Sequence, residues 1–192
     1  MHPDQCVQRD FSAPVLRFSH SEKKKPGQLR SPTGQDVELA IMTSQSNNVP
    51  NDQNGTSFAL HPRLAADTLF VADLALCRVL LMHNAAFPWL ILVPRRVAAT
   101  EIHHLPAADR FRLMEEMALA AQALERLAAP DKMNVGALGN VVPQLHVHVV
   151  ARRRDDPAWP GPVWGSGVHR DYGAGEAEAF AMRISEALAA PA

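Results

Sequence analysis

The run Gln144-Leu-His-Val-His-Val-Val150 constrains this chain more than any other stretch. Valines alternate with larger polar residues, a pattern that suits a half-buried strand better than a helix. In a strand spanning 144 to 150, the two-residue repeat puts Gln144, His146 and His148 on one face and Leu145, Val147 and Val149 on the other. One face is then core and the other is open to chemistry, whereas a helix would scatter the two imidazoles. Pro143 fits the entry to such a strand. A His-x-His pair alone is also what a half-exposed surface strand carries, so the surroundings decide. Just upstream stand Asn134, Gly136, Gly139 and Asn140, a Gly/Asn-rich loop whose N–H groups and amides can approach an anion closely.

Length and charge narrow the function classes. A chain of 192 residues allows one or at most two domains, and 47% apolar residues are enough for a core. With 19 basic and 20 acidic residues the net charge is −1, which gives no reason to expect a nucleic acid or a membrane surface as partner. An anion bound at that loop would therefore belong to a small molecule. Cys6 and Cys77 lie far apart, one in a polar tail and one in an apolar run, which argues against a disulfide and for a reducing compartment. Cys77 reads as a small core residue. The absence of both an eighteen-residue apolar run and a secretion-type leader makes the cytoplasm the expected location.

Residues 1–57 mix Ser, Asn, Gln, Pro and Lys with few apolar residues, and six basic residues balance six acidic ones. They are expected to form a polar, disordered extension, with Met42 as an alternative natural start. The compact domain should cover 58–192. Leu60 to Asp67 reads as a short helix or turn begun by Pro62, with His61 in local packing. Leu69–Leu74 and Cys77–Met82 read as an antiparallel pair, and Pro88–Pro94 as a third strand, buried on both faces. Pro106 to Leu127 is the clearest helix, with Phe111, Met114, Met117, Leu124 and Leu127 on an apolar stripe assigned to the core. Asp131–Leu138 should pair with the His-x-His strand, and Glu176–Ala190 should form a last helix. Three arginines at 152–154 beside Asp155 and Asp156 read as a self-neutralising surface, and the Trp/Pro segment 157–164 as packed on the domain. The expected class is α+β: a mostly antiparallel sheet of about five strands, one long helix and a C-terminal helix.

Asn134-Val-Gly-Ala-Leu-Gly-Asn140 followed by Gln144-Leu-His-Val-His-Val-Val150 resembles the histidine triad (HIT) family of nucleotide hydrolases and transferases, whose signature alternates three histidines with apolar residues. The resemblance covers roughly residues 58–170 and extends to the Trp/Pro segment, which is similar to that of bacterial HIT-like, diadenosine tetraphosphate hydrolase-like proteins. Gln144 stands at the first histidine's place. The resemblance implies the HIT fold, a homodimer, and a ribose contact from Asn84 at the end of the second strand, with His83 as the next candidate. Bottom-up, Asn84 is also simply a good turn residue.

Geometry suggests the mechanism. A neutral imidazole has one nitrogen with an available lone pair, which can attack phosphorus when the other N–H is held by an acceptor. His146, the counterpart of the middle triad histidine, is the candidate nucleophile. His148 would donate to the phosphate oxygens, with Asn134, Gly139, Asn140 and nearby N–H groups binding the substrate. Gln144 could orient a phosphate or leaving group but not change charge, which favours substrates with good leaving groups. The leading expectation is a hydrolase cleaving a dinucleoside polyphosphate or a nucleoside phosphoramidate at the α-phosphorus through a nucleotidyl-histidine. It needs no metal or other cofactor from the protein, although magnesium on a polyphosphate is compatible. The alternatives are a nucleotide-binding protein with little turnover, and a metal site joining His146 and His148 to His103, His104 or His169.

Overall fold

The computed structural model describes residues 57–190. The expected extension, apart from Ser57, and the alternative start at Met42 lie outside the described residues. A short helix α1 (Pro62–Asp67) leads into β1 (Thr68–Asp73), β2 (Cys77–Met82) and β3 (Trp89–Pro94). A 3-10 turn at Ile102–His104 precedes α2 (Ala107–Ala128), β4 (Lys132–Gly136), β5 (Val147–Arg152) and α3 (Glu176–Ala189). All five strands join one antiparallel sheet in the order β1-β2-β3-β5-β4. This is the α+β arrangement the sequence led us to expect. Among the described residues no helix is long and apolar enough to cross a membrane.

Local chemistry explains the element ends. Pro62 opens α1, where its missing N–H costs nothing, and the His61 ring accepts the Arg63 N–H at 3.1 Å. Every residue of β3 is buried, as its continuous apolar run predicts. Helix α2 starts after Pro106 and stops at Ala129, whose left-handed backbone (φ 43°) turns the chain just before Pro130. Cys77 is fully buried and unpaired, and burial beside Glu116 pushes its thiol well above the ordinary range, so it is inert core.

Both faces of the sheet are covered. On the helix side, Leu145, Val147, Val149 and Ala151 pack with Leu113, Leu124 and Ile184. On the other side, Trp89, Ile91 and Val150 pack with Leu64, Phe87 and Val163, the last from the Trp/Pro segment. The chemistry face of β5 is therefore half core itself.

Three sequence readings need correction. The strand begins at Val147, not Gln144, because the Leu145 N–H bonds to the Ala99 carbonyl (2.9 Å) outside the sheet ladder. The α2 stripe has a different phase: Leu113, Ala120, Ala123 and Leu124 are buried, whereas Phe111 and Met114 are 69% and 59% exposed. Glu116 is buried as well and accepts the Leu76 and Cys77 N–H groups at 2.8 Å each, tying α2 to the start of β2. Arg152 is not a surface residue: it is 1% exposed and forms two bonds with Asp156, at 2.7 and 2.9 Å. Arg153 and Arg154 do pair at the surface, with Asp155 and Asp131.

Candidate active site

His146 enters from the extended stretch before β5, and His148 from the strand itself, opposite Ile91 of β3 and Gly136 of β4. Their rings lie edge to face, 4.9 Å between centroids, and both line a cavity of about 310 Å³. Gly139 and Asn140 form one wall, with Gly139 in a left-handed turn (φ 70°) that brings the loop back over the histidines. Thus four of the expected site residues meet. The opposite wall, which sequence reasoning missed, comes from Leu64, Arg63 and Asp67 of α1, with Met82 and Ile91 from the sheet. Ile91 was recoverable in principle, since an antiparallel β3–β5 pair places it beside His148. Arg63 and Asp67 are joined by a 2.5 Å ion pair.

Hydrogen bonding distinguishes the two rings. His146 Nδ1 lies 2.7 Å from the Gln144 backbone carbonyl, which can only accept, so Nδ1 carries the proton and Nε2 keeps its lone pair. This is the arrangement required of a nucleophilic imidazole, and the acceptor is a main-chain oxygen. His148 Nδ1 instead accepts the indole N–H of Trp89 at 3.0 Å. Burial, reinforced by the neighbouring His146, pushes the His148 pKa down to about 4, so it is neutral at pH 7. Trp164 closes the far side of His148, edge-on at 5.7 Å, and it fits there because Gly136 has no side chain.

Three expected contributors are engaged elsewhere. The Gln144 side chain faces the segment before α1: its Oε1 accepts the His61 N–H and its Nε2 donates to the Ala59 carbonyl, both at 2.8 Å. Both ends of the amide are thus engaged, and Gln144 is not among the residues lining the cavity. Asn84 is buried, donates to the Val168 carbonyl (2.9 Å) and accepts the Ala86 and Arg170 N–H groups (3.1 Å each), so it clamps the 168–170 loop and does not line the cavity. Asn134 accepts from buried Arg152 at 2.8 Å and does not line the cavity. The remaining histidines also sit apart: His104 meets Thr100 at 3.1 Å and stacks near His103, and His169 meets Asp171 at 2.9 Å. Among the described residues no three His, Cys, Asp or Glu side chains are grouped to hold a metal, which leaves the metal reading without a third ligand.

A HIT domain model matches residues 63–155. Three solved histidine triad proteins are similar over nearly their whole length. That of Bradyrhizobium japonicum is 43% identical with a TM-score of 0.67, the match covering 69% of this chain and 99% of that one. That of Sinorhizobium meliloti 1021 is 46% identical with a TM-score of 0.65, covering 67% and 96%. The Marinobacter aquaeolei VT8 protein is 44% identical with a TM-score of 0.67, covering 69% and 97%. No curated protein matches. Fold, paired histidines and these likenesses agree: the chain belongs to the histidine triad family.

Proposed function

We propose that the chain is a nucleotide hydrolase that attacks the α-phosphorus of a nucleoside 5′-phosphoryl compound, a dinucleoside polyphosphate or a phosphoramidate, with Nε2 of His146. The observation that carries this reading is the 2.7 Å bond from His146 Nδ1 to the Gln144 carbonyl, which leaves the Nε2 lone pair beside a cavity of about 310 Å³. As the Nε2–P bond forms, the bond to the leaving group breaks with its electron pair; water then attacks the nucleotidyl-histidine and releases the nucleoside monophosphate. His148 and the Gly139–Asn140 wall supply donors to the phosphate oxygens, a contribution of about 10²–10³ in rate for one such donor. No titrating group stands at Gln144, so the leaving group is one that departs without a proton from that position. The cytoplasm is the proposed setting.

A homodimer is proposed on two surface features. Among the described residues strand β4 is an edge of the sheet with no strand on its outer side, and Val135 on it is 51% exposed. Phe111 and Met114 of α2, the helix that packs over β5, add exposed apolar surface.

A second reading, nucleotide binding with little turnover, is favoured by the commitment of both ends of the Gln144 amide to residues 59 and 61. Rapid acid-free quench with diadenosine tetraphosphate, and separately adenosine phosphoramidate, followed by protein mass spectrometry distinguishes the two. An adduct on His146, AMP release, and loss of both in His146→Ala support the hydrolase. Binding without adduct or AMP from either substrate overturns it in favour of the second reading.

A further inference from the structure

We propose that Trp89 is a positioning residue: its indole N–H fixes His148 as the Nε2–H tautomer, so that His148 meets a phosphate as a constant neutral donor and not as a group that exchanges protons. The inference rests on the reading of this cavity as a phosphoryl-transfer site, and it assigns a role to a residue that contributes no atom to the reaction.

Trp89 opens β3 opposite Val150 of β5, and its side chain reaches along the sheet to the His148 ring, with ring centroids 5.5 Å apart. Its Nε1 donates to His148 Nδ1 at 3.0 Å, and both residues are buried. An indole nitrogen has a hydrogen to give and nothing to accept with. Nδ1 must therefore bring a lone pair, and the imidazole proton resides on Nε2. Charging His148 would place a second hydrogen on Nδ1, pointing at the indole N–H in a buried contact. The elements packed round the ring offer nothing to offset this. Trp89 and Ile91 of β3, Gly136 of β4 and Trp164 carry no charge, and among the described residues His146 is the titratable neighbour. The charged residues lining the cavity, Arg63 and Asp67, are paired with each other. Burial and His146 push in the same direction, holding the His148 pKa near 4.

The consequence concerns the leaving group. While the His146–phosphorus bond forms and the leaving group takes its electron pair, the His148 proton stays on Nε2, hydrogen-bonded to phosphate oxygen. A polyphosphate leaving group then departs as its anion, whereas the nitrogen of a phosphoramidate takes a proton from water before the P–N bond breaks and leaves as the neutral amine.

The structure also supplies a matched control. Trp164 presents a second indole to the same ring, but among the described residues its buried Nε1 has no hydrogen-bond partner. Long-range proton–nitrogen NMR of the imidazoles in the ¹⁵N-labelled full chain, from about pH 4.5 to 8, tests the assignment. In the wild type, His148 should be the Nε2–H tautomer across the range. In Trp89→Phe it should show mixed tautomers and a charging midpoint about one pH unit higher or more. Trp164→Phe, which removes an unbonded N–H, should keep neutral His148 as the Nε2–H tautomer. A wild-type His148 with its proton on Nδ1, or charged at pH 6, overturns the proposal even if the variants fail to fold. So does equal behaviour of the two Trp→Phe variants. No substrate is present, so absence of turnover leaves this result intact, and a wrong tautomer leaves the His146 adduct experiment to stand by itself.

Discussion

Replacing Gln144 with alanine separates a structural from a chemical role at the first triad place. The side chain makes two hydrogen bonds to main chain, with His61 N–H and with the Ala59 carbonyl, each 2.8 Å long. At about 0.5–1.5 kcal/mol each, their loss amounts to roughly 1–3 kcal/mol. That loss falls on α1, a six-residue helix too short to persist without tertiary support. Helix α1 carries Leu64, Arg63 and Asp67, one wall of the cavity. If this wall is formed in only a fraction of molecules, the apparent Kd rises by the reciprocal of that fraction, up to roughly 5–150-fold for 1–3 kcal/mol. His146 is oriented by the backbone carbonyl of residue 144, which alanine retains, so turnover at saturation should stay within about threefold. Calorimetric titration with AMP and hydrogen exchange of the Arg63–Asp67 amides provide the measurements, set beside kcat. An unchanged Kd and unchanged exchange together with a tenfold or larger fall in kcat would refute the reasoning and return Gln144 to the chemistry.

Two further outcomes follow from buried charge and exposed surface. Bonding to buried Arg152 holds the Asp156 carboxyl below the usual aspartate range. Because the folded-state pKa is the lower one, this stabilisation is complete at neutral pH, begins to fade near pH ~4 and is lost as pH falls through the folded value. Asp156→Asn should cost about 3–5 kcal/mol at pH 7 by leaving Arg152 without its counter-charge. It should also flatten the acid limb of thermal stability, and identical acid slopes in variant and wild type would contradict this. Phe111→Glu, at a position 69% exposed, should shift the chain to monomer in sedimentation without lowering its melting temperature at micromolar concentration by more than about 0.5 kcal/mol equivalent beyond the effect of dissociation. An unchanged dimer would place the interface elsewhere.

Much of the fold was legible because its signals are local. Pro62, Pro106 and Pro130 punctuate the helices, and the apolar run of β3 announced burial on both faces. What pattern reading could not show was which polar groups the fold takes inside. Glu116 and Arg152 sit in charged stretches of the sequence, yet each satisfies buried partners that exist only after α2 meets β2 and β5 meets the 156–161 turn. The α2 stripe went wrong for a related reason: Phe111 and Met114 keep helical spacing with the true core positions but fall at its margin. At the site, the paired histidines and the Gly139–Asn140 wall were readable from a two-residue repeat and a turn signal. The diversion of Gln144, Asn84 and Asn134 was not. An amide offers both a donor and an acceptor, so its spacing along the chain does not say which neighbours will claim it.

Gly136 lies directly across the β4–β5 ladder from His148, and a methyl group there would meet Trp164 at 3.2 Å. The room around the third triad histidine is thus set by a missing side chain on a neighbouring strand. An alanine at this position would press the indole by a few tenths of an ångström, reshaping the surroundings of His148 while every cavity-lining residue kept its identity. The shape of the candidate site therefore also depends on a position at the sheet's edge, one that a mutational survey restricted to cavity-lining residues would pass over.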